Sequence, residues 1–525
     1  MAKIKPLVLI VMDGFGVTIP SEGNAVSIAQ KPVFDNLINN YPSATIQASG
    51  EMVGLPWGEV GNSEVGHMNM GAGRVMYQDL PRIDKSIVDG SFYKNDKILQ
   101  AVEHVKKNKS SLHIMGLTSS GGVHSHINHL FALLKLAKKN RLKKVFIHCF
   151  MDGRDVPQDS GIDYIKDLQK KMKKIRVGKI ASMSGRFYAM DRDENWDRIK
   201  KAYDVMVLGQ GESNTDPLKA VEYSYKKNIF DDKFEPIFIT KNGKPIGLIS
   251  ENDACINFDY RSDRARLISQ VFIDKEFNEF DRKKDFKNLH FVSLTDYGIR
   301  DFPNIAYPAQ KVPNSLGKVI SDNSLKQLRI AETEKYAHVT MFFNAGVIDP
   351  FPGEERQLIP SPAVESYDQM PEMSVRKVTD RLISVIGNYD FVLLNFANPD
   401  MLGHTGNIPA TVKGLQIMDE CIGKIVKKVF SLDGKLIITA DHGNADVMLN
   451  LQSGEVVKDH TVNPVPVILA SKELKRNNLP NNNTVEELSI KTPAGVLADI
   501  AVSALDMMGL EKPNEMTGIS LVDII

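Results

Sequence analysis

The stretch KLIITADHGNAD, residues 435–446, places an aspartate and a histidine directly behind a short apolar run. The run, residues 436–440, is typical of a strand that is covered on both faces, as in a parallel sheet. It ends at Asp441 and His442, and a Gly-Asn turn at 443–444 follows at once. Open α/β sheets bind ligands at the carboxyl ends of their strands. The stretch therefore predicts an α/β fold with a candidate metal site at this edge, and a hydrogen-bonded turn is the alternative.

The length and composition are those of a globular protein that is too long to form a single ordinary hydrophobic core. The chain has 525 residues, of which 25% are charged and 42% hydrophobic, so we expect two large domains. Its formal net charge is zero, which favours neither nucleic acid nor a membrane as a partner. The three cysteines have no metal-like spacing, and no apolar run suits a signal peptide or a membrane span. These features predict a cytoplasmic location.

Two kinds of sequence pattern alternate along the chain. The run 7–12 ends at Asp13 in the same way as the central stretch. From about residue 76, strands near 112–118, 144–150 and 177–183 alternate with lysine-rich amphipathic helices, which predicts a second parallel α/β sheet. The basic faces of those helices are expected to be solvated surface. A proline-bearing connector at 307–315 then leads back to strands that end in acids, so the second domain is predicted to be inserted into the first. The asparagine-rich piece 472–483 is expected to be a surface loop.

Further candidate ligands follow other apolar runs. The run 391–396 leads to Asp400, with His404 one helical turn later, and His460 precedes another apolar run. Oxygen and imidazole ligands without thiolate suit manganese, zinc or magnesium-like ions, and this many ligands suit two ions. Ser63, in GNSEVGHMNMGAGR at 61–74, could be the N-cap of a helix, a metal-activated nucleophile, or both.

The predicted second domain carries arginines in the loops that follow its strands. An arginine fork grips a carboxylate or phosphate bidentately, so a converging set would hold a small dianion, whereas pairing with neighbouring aspartates is the alternative. His124 and Asp155 are candidates for proton transfer in the same loops, and His126 and His129 are expected to be structural. Lys335 is either a point charge for a phosphate or an exposed lysine. The candidate arginines are Arg154, Arg186, Arg192, Arg261 and Arg264.

The motifs taken together resemble the cofactor-independent phosphoglycerate mutases of the alkaline phosphatase superfamily. The similar stretches are GNSEVGHMNMGAGR, GGVHSHINHL, FMDGRDVP, GRFYAMDRDENWDR, ETEKYAHVTMFFNAG, FANPDMLGHTGN, TADHGNAD and HTVNPVP, in this order. The resemblance spans essentially the whole chain. It implies an alkaline-phosphatase-like metal domain at 1–76 and 312–525, with a second parallel-sheet α/β substrate domain at 77–311 inserted into it. Two departures are Ser120, where an aspartate is usual, and Ser262, where a proline is usual.

The resemblance also implies a reaction and its residues. Ser63 would take the phosphoryl group of 3-phosphoglycerate and return it to give 2-phosphoglycerate, in glycolysis and gluconeogenesis. One ion would be held by Asp13, Ser63, Asp441 and His442, and the other by Asp400, His404 and His460; manganese is the usual ion and other divalent ions are alternatives. The substrate would contact His124, Arg154, Asp155, Arg186, Arg192, Arg261, Arg264 and Lys335. Family members are mostly monomers.

Two other functions fit parts of the same pattern. The shorter motifs PDMLGH and ADHG are shared with phosphopentomutases, so a metal-dependent phosphatase or a phosphopentomutase is the alternative enzyme. A metal-binding protein without catalysis is the alternative outside enzymes, and it predicts that Ser63→Ala leaves function intact. Release of free phosphate or isomerisation of a ribose phosphate would identify the first alternative.

Overall fold

The computed structural model describes residues 5–476 and 485–525, and the chain forms two compact units. One unit comprises the chain up to residue 78 together with residues 311–525, and the other comprises residues 79–310. Residues 477–483 of the segment that the sequence predicts as a surface loop lie outside the described residues. Within the described ranges, no helix is both long and apolar enough to cross a membrane.

The strands, in chain order, are β1 (Leu7–Met12), β2 (Ser43–Gln47), β3 (Leu112–Leu117), β4 (Val145–Met151), β5 (Lys179–Gly185), β6 (Glu212–Asn214), β7 (Ile237–Lys241), β8 (Lys244–Pro245), β9 (Ala254–Asn257), β10 (His290–Ser293), β11 (Gln327–Glu332), β12 (Glu354–Ile359), β13 (Phe391–Phe396), β14 (Lys435–Thr439), β15 (Val465–Ala470) and β16 (Gly495–Val496). The predicted strands at 7–12, 391–396 and 436–440 are confirmed within one residue. The strand predicted at 177–183 begins two residues later than expected.

The α-helices are α1 (Ala25–Ile28), α2 (Pro32–Asn40), α3 (Ser63–Ala72), α4 (Asp79–Asp89), α5 (Asp96–Asn108), α6 (Ile127–Lys139), α7 (Gly161–Ile175), α8 (Arg186–Ala189), α9 (Trp196–Val207), α10 (Pro217–Lys226), α11 (Ser262–Ile273), α12 (Leu316–Asp322), α13 (Val375–Val385), α14 (Asn398–Gly403), α15 (Ile408–Ser431), α16 (Val485–Ser489) and α17 (Asp499–Met508). The lysine-rich amphipathic helices predicted between the strands of the second domain correspond to α6 and α7.

The first unit is built on a sheet with strand order β12-β11-β13-β1-β14-β15-β2-β16. At its centre, β1 pairs in parallel with β13, from Leu7 opposite Phe391 to Met12 opposite Phe396, and with β14 on its other side. Every residue of β1 and β13 is buried, as expected for strands that helices cover on both faces. The sheet is mixed, because β15 runs antiparallel to both β14 and β2.

The second unit is built on a sheet with strand order β10-β9-β3-β4-β5-β7-β6. The strands β10, β9, β3, β4 and β5 are mutually parallel, whereas β7 is antiparallel to β5. Apolar side chains form one core cluster that includes Ile114 and Ile147 and another that includes Met115 and Phe150. Because successive strand residues point to opposite faces, these clusters lie on the two sides of the sheet. The α/β fold class expected from the sequence is confirmed for both units.

Candidate active site

Three acidic side chains stand where the central strands of the first unit end. Asp13 follows β1 directly, Asp441 follows β14, and Asp400 lies in α14, which follows β13. All three side chains are buried. Since β1 pairs in parallel with both neighbours, their carboxyl ends meet at one edge of the sheet. The fold therefore brings together acidic groups that are separated by up to 428 positions in the chain.

Ser63 is the first residue of α3, and its hydroxyl takes no part in capping the helix. Asn62 is the N-cap, because its side-chain oxygen accepts a hydrogen bond from the backbone N–H of Val65 at 2.9 Å. The interpretation of Ser63 as the N-cap is therefore wrong. The Ser63 Oγ instead lies 3.2 Å from Asp13 Oδ1 and 3.0 Å from His442 Nε2. The hydroxyl is thus available to the polar cluster at the sheet edge.

Lys335 is buried in the same cluster. Its Nζ donates hydrogen bonds to Asp13 Oδ1 at 2.7 Å, Asp400 Oδ2 at 2.6 Å and Ser63 Oγ at 2.9 Å. Burial by itself would lower the pKa of Lys335, but Asp13, Asp400 and Asp441 outweigh it and raise that pKa above its ordinary value. The alternative of a solvent-exposed lysine is therefore wrong, since the side chain is a buried cation.

The charges of the cluster support one another. Although burial opposes ionisation, Lys335 is the main partner that holds the pKa of Asp400 well below its usual range. The pKa of Asp441 is likewise low against burial, chiefly because of His442. Burial would lower the pKa of His442, but Asp441, hydrogen bonding to Asp13 and further carboxylates raise it to about 9. The edge thus holds ionised carboxylates, the oxygen ligands that divalent ions bind, and their charge is partly offset by Lys335 and His442.

Two histidines face each other beside Asp400. The Nε2 atoms of His404 and His460 are 3.1 Å apart, and each lies 3.2 Å from Asp400 Oδ1. The Nδ1 of His404 lies 2.7 Å from the Lys458 carbonyl, and the Nδ1 of His460 lies 2.8 Å from the Gly61 carbonyl. A carbonyl that accepts from Nδ1–H fixes the tautomer whose Nε2 carries a lone pair. Two such lone pairs converging on a carboxylate are typical of metal ligands.

His67 belongs to the cluster, although the sequence reasoning did not single it out. Its Nδ1 lies 2.9 Å from the carbonyl oxygen of Ser63 and 3.2 Å from Asp441 Oδ2. The Nδ2 of Asn395 donates to Asp13 Oδ2 at 2.7 Å and lies 3.2 Å from His67 Nε2. The available signal was spacing, because His67 follows Ser63 by four residues and so shares its helix face.

The donor atoms fit divalent metal ions. In the described residues, the carboxylate and imidazole atoms of two trios lie within 4.8 Å of one another; the trios are Asp400 with His442 and His460, and Asp13 with His67 and Asp441. Asp441 Oδ2 is buried and has His67 Nδ1 at 3.2 Å as its near polar neighbour. Oxygen and imidazole donors without thiolate suit manganese, magnesium or zinc.

The trios differ from the ligand sets that the family resemblance implies. In the trio with Asp400 and His460, His442 takes the place that the resemblance gives to His404. In the trio with Asp13 and Asp441, His67 takes the place that the resemblance gives to His442. The His442 ring accounts for this difference, because it stacks on His460 with centroids 3.9 Å apart while its Nε2 lies 3.4 Å from Asp13 Oδ1. His442 therefore lies between the two groups, and both groupings draw on the same cluster. The Nε2 of His404 nevertheless lies 3.2 Å from Asp400 Oδ1 and 3.1 Å from His460 Nε2.

The second unit gathers its charged loops at one sheet edge. Since β9, β3, β4 and β5 are adjacent and parallel, the loops that follow them lie at the same side. These loops, together with the first turns of α8 and α11, carry the candidate residues His124, Arg154, Asp155, Arg186, Arg192, Arg261 and Arg264. The sequence prediction of polar loops after consecutive parallel strands is thus met by the topology.

Arg186 is the buried anchor of these loops. Its Nη1 donates to Asp152 Oδ1 at 2.6 Å and lies 2.9 Å from Asp155 Oδ1. His124 Nε2 lies 3.9 Å from the other oxygen of Asp155, which has no hydrogen-bond partner among the described residues. Burial, together with the positive charge of Arg186, lowers the pKa of His124 to about 4. His124 is therefore a neutral imidazole at pH 7.

Three arginines of the set are more exposed and pair loosely. Asp263 lies 3.2 Å from Arg192 Nη1 and 3.1 Å from Arg261 Nε, and the arginine side chains are about half exposed. The Nε of Arg154 lies 3.5 Å from Asp232. Exposed pairs of this kind contribute little to stability, so these guanidinium groups can exchange their partner for an anionic ligand.

Arg264 is close enough to other arginines for their positive charges to affect its pKa. Its Nη1 donates to the carbonyl oxygen of Met190 at 3.1 Å. Burial, followed by the positive charges of Arg186, Arg192 and Arg154, lowers its pKa below the ordinary value. The loops therefore concentrate positive charge, as an anion-binding site requires.

The remaining residues singled out in these loops have local structural contacts. His126 is the N-cap of α6, and His129 Nε2 lies 3.0 Å from Asp84 Oδ1, so both have the structural roles predicted for them. The hydroxyl of Ser120 lies 2.7 Å from the hydroxyl of Tyr164. Ser120, which departs from the family pattern, therefore forms a hydrogen bond with Tyr164.

Comparison with known proteins places the chain in a family. Residues 83–299 match the family model described as the N-terminus of the 2,3-bisphosphoglycerate-independent phosphoglycerate mutases. The mutase of this type from Clostridium acetobutylicum is 50% identical over 100% of both chains, and that from Clostridium perfringens strain 13 is 48% identical over 99% of both. Among solved structures, the Leishmania mexicana phosphoglycerate mutase at low cobalt concentration is 30% identical, with a TM-score of 0.52, and covers 98% of this chain and 97% of its own. The chain therefore belongs to the family of 2,3-bisphosphoglycerate-independent phosphoglycerate mutases, which are isomerases.

Proposed function

We propose that the chain interconverts 3-phosphoglycerate and 2-phosphoglycerate through a phosphoserine at Ser63, at a site with two metal ions and without 2,3-bisphosphoglycerate. The observation that carries the proposal is the surroundings of the Ser63 hydroxyl, which donates to Asp13 Oδ1 at 3.2 Å and accepts from the Lys335 ammonium at 2.9 Å, with His442 Nε2 3.0 Å away. A serine hydroxyl that does not cap its helix, and whose oxygen accepts a hydrogen bond from an ammonium group, is suited to act as the nucleophile of phosphoryl transfer.

The residues around Ser63 suit each half of the transfer. As the P–O bond to the substrate oxygen breaks and the bond to Ser63 Oγ forms, the hydroxyl proton can pass to Asp13 Oδ1, which accepts the hydrogen bond of this hydroxyl at 3.2 Å. The hydrogen bond from Lys335 Nζ, at 2.9 Å, stabilises negative charge on Oγ. The positive end of the dipole of the ten-residue helix α3, at its N-terminus, favours the arriving phosphate. The reverse steps return the group to the other hydroxyl of glycerate.

The metal assignment rests on the donor set and the family resemblance. We assign one Mn²⁺ to Asp13, Ser63, Asp441 and His442, and a second to Asp400, His404 and His460, with other divalent ions as alternatives. When bound, the ions would supply Lewis-acid stabilisation of the serine alkoxide and the phosphoryl oxygens. His67 and Asn395 position Asp441 and Asp13 through the contacts described above.

We assign glycerate retention to the loops of the substrate domain, residues 77–311 in the sequence-based division, and the chemistry to the phosphatase-like domain, residues 1–76 and 312–525. The exposed forks of Arg192, Arg261 and Arg154 suit the carboxylate and phosphate of the substrate, whereas Arg186 holds the loops in place. His124 or Asp155 would move the proton at a substrate hydroxyl. By family resemblance, Arg264 and Lys335 complete the substrate contacts.

The proposal includes a setting in the cell. Mutases of this family act in glycolysis and gluconeogenesis, and we place the chain in the cytoplasm as a monomer. The three cysteines are buried and unpaired, which supports a reducing compartment.

An enolase-coupled assay tests the proposal. The protein is stripped of metal, refilled with Mn²⁺ and supplied with 3-phosphoglycerate in the absence of bisphosphoglycerate, with Ser63→Ala as the inactive variant. Ser49→Ala is the matched control, because its hydroxyl only donates to the Val462 carbonyl. We expect turnover by the wild type and the control and none by Ser63→Ala. Release of free phosphate without 2-phosphoglycerate would instead indicate a phosphatase.

A further inference from the structure

The second unit contains a concave basic site that the proposed mutase reaction does not use. Its cavity has a volume of about 560 Å³ and lies where β4 and β5 begin and α7 ends. The candidate substrate loops follow the carboxyl ends of these strands, so the cavity lies at the opposite edge of the same sheet. A volume of this size suits a small ligand rather than one ion.

Five cationic side chains line this cavity, and no carboxylate does. Lys143 and Lys144 precede β4, Lys173 and Arg176 lie at the end of α7, and Lys179 begins β5. All five residues are exposed. They come from two segments, residues 143–144 and 173–179, of a chain whose formal net charge is zero, so this concentration of positive charge is local.

These cations lack acidic partners within the protein. Among the carboxylates of the described residues, none lies within 4.0 Å of the side-chain nitrogens of the five. Lys144 Nζ has a weak contact of 3.4 Å with the Lys109 carbonyl oxygen. The dipole of α7 accounts for basic residues in its last turn, but Lys143, Lys144 and Lys179 lie outside that helix. Their mutual repulsion is relieved only by solvent, salt or a bound anion.

The floor of the cavity is apolar. Val145, Met172 and Ile180 are buried side chains that line it, and Ile246 is half-buried beside them. The amide of Gln169 adds a neutral donor and acceptor. Several positive charges over an apolar floor match a ligand that joins a polyanion to a flat or apolar body.

We propose that this cavity binds a nucleoside polyphosphate such as ATP, with the phosphates on the lysines and the base and sugar on the apolar floor. Lysine binds phosphate as a point charge, and several lysines can share one polyphosphate chain. The site is independent of the mutase chemistry, because none of its lining residues belongs to the candidate active site.

Equilibrium dialysis of labelled ATP with the full, metal-loaded chain tests the proposal. Saturating 3-phosphoglycerate is present throughout, so that the anion-binding loops of the candidate active site are filled. The variant is Lys173→Glu with Arg176→Glu, and the matched control is Lys170→Glu with Lys174→Glu, which makes the same charge change at exposed positions of α7 outside the cavity. Circular dichroism and mutase turnover of both variants check that the fold is intact.

We expect saturable ATP binding by the wild type, weakened at least about tenfold in the cavity variant and by no more than about twofold in the control. Displacement of labelled ATP should need at least about a fivefold higher concentration of inorganic tripolyphosphate than of unlabelled ATP, because tripolyphosphate has no base or sugar to contact the apolar floor. Absence of saturable binding, equal weakening in the control, or tripolyphosphate that competes as well as ATP would overturn the proposal. Tighter binding of a single-stranded RNA than of ATP would also overturn it.

Discussion

The ammonium nitrogen of Lys335 lies 2.9 Å from the hydroxyl oxygen of Ser63 and also contacts Asp13 and Asp400. One buried cation thus joins the proposed nucleophile to carboxylates that are proposed to hold two different metal ions. In metal-free protein, Lys335 offsets part of the negative charge of the cluster, and during phosphoryl transfer it stabilises charge on the serine oxygen.

Replacement of this cation should affect both stability and turnover. In Lys335→Met, buried carboxylates lose their partner, so the metal-free protein should be destabilised by about 3 to 5 kcal/mol, and turnover should fall about 100-fold or more. Thermal unfolding with and without Mn²⁺, together with the coupled assay, measures these effects. Lys318→Met is the control, because Lys318 is an exposed lysine paired with Asp322. Wild-type stability and turnover in Lys335→Met would contradict the role given to this residue.

Metal stoichiometry should reveal the two groups of ligands. His404→Ala removes one of the two imidazoles that face Asp400, so the number of tightly bound Mn²⁺ ions should fall from two to one. Inductively coupled plasma analysis after dialysis measures the metal content. His104→Ala is the control, since His104 stacks on His290 in the other unit. Two ions retained by His404→Ala would assign the second site to other residues.

The arginines of the second unit should separate into a structural and a ligand-binding class. Arg186 is 3% exposed and paired with Asp152 and Asp155, so Arg186→Met should cost about 3 to 5 kcal/mol of unfolding free energy. Arg192 is 48% exposed, so Arg192→Met should cost less than about 1 kcal/mol while it raises KM for 3-phosphoglycerate. Urea unfolding and steady-state kinetics test the split. Equal losses of stability in both variants would refute it.

Asp259 predicts a pH dependence of stability. Burial raises the pKa of Asp259 to about 7, while Leu117 N–H donates to its Oδ1 at 2.7 Å. Since the folded protein favours the protonated carboxyl, this contribution to stability is complete below the ordinary pKa near 3.8 and is lost as pH rises through about 7. Asp259→Asn resembles the protonated form, so it should be more stable than the wild type at pH 8, and the difference should shrink towards pH 5.

Each unit of pKa shift corresponds to about 1.4 kcal/mol, so the difference at pH 8 should reach a few kcal/mol. Urea unfolding of both proteins across this pH range measures it. Asp296→Asn, at an exposed position in the same unit, is the control and should show no such trend. A stability difference that does not vary with pH would mean that Asp259 is ionised throughout.

The sequence predicts the sheet edge of the first unit well. Buried parallel strands appear as short apolar runs, and an acid directly after such a run must lie at the carboxyl end of a strand. Asp13 and Asp441 follow this rule, and Asp400 lies in the short helix α14 that follows β13. Their meeting needs only that β13, β1 and β14 be neighbours. The antiparallel direction of β15 was not predicted, because burial of both faces looks the same in either direction.

Lys335 and the cap of α3 show what local patterns cannot reveal. Nothing near Lys335 in the chain indicates burial, because its partners Asp13 and Ser63 lie 322 and 272 positions away. Asn62 and Ser63 are both good N-cap residues, and only the backbone geometry decides between them. Most basic residues of α7 are exposed as predicted. Their sequence does not show that some of them line a cavity with the starts of β4 and β5 and with Ile239 and Ile246.

The phosphorylation state of Ser63 during turnover tests the central claim most directly. Metal-loaded protein is mixed with 3-phosphoglycerate without bisphosphoglycerate, quenched in acid within one turnover, digested and analysed by tandem mass spectrometry. We predict one phosphoryl group on the peptide that contains residues 61–74, located at Ser63 and absent from Ser63→Ala and from metal-free protein. An unmodified Ser63 at every time point, together with wild-type turnover by Ser63→Ala, would contradict the account.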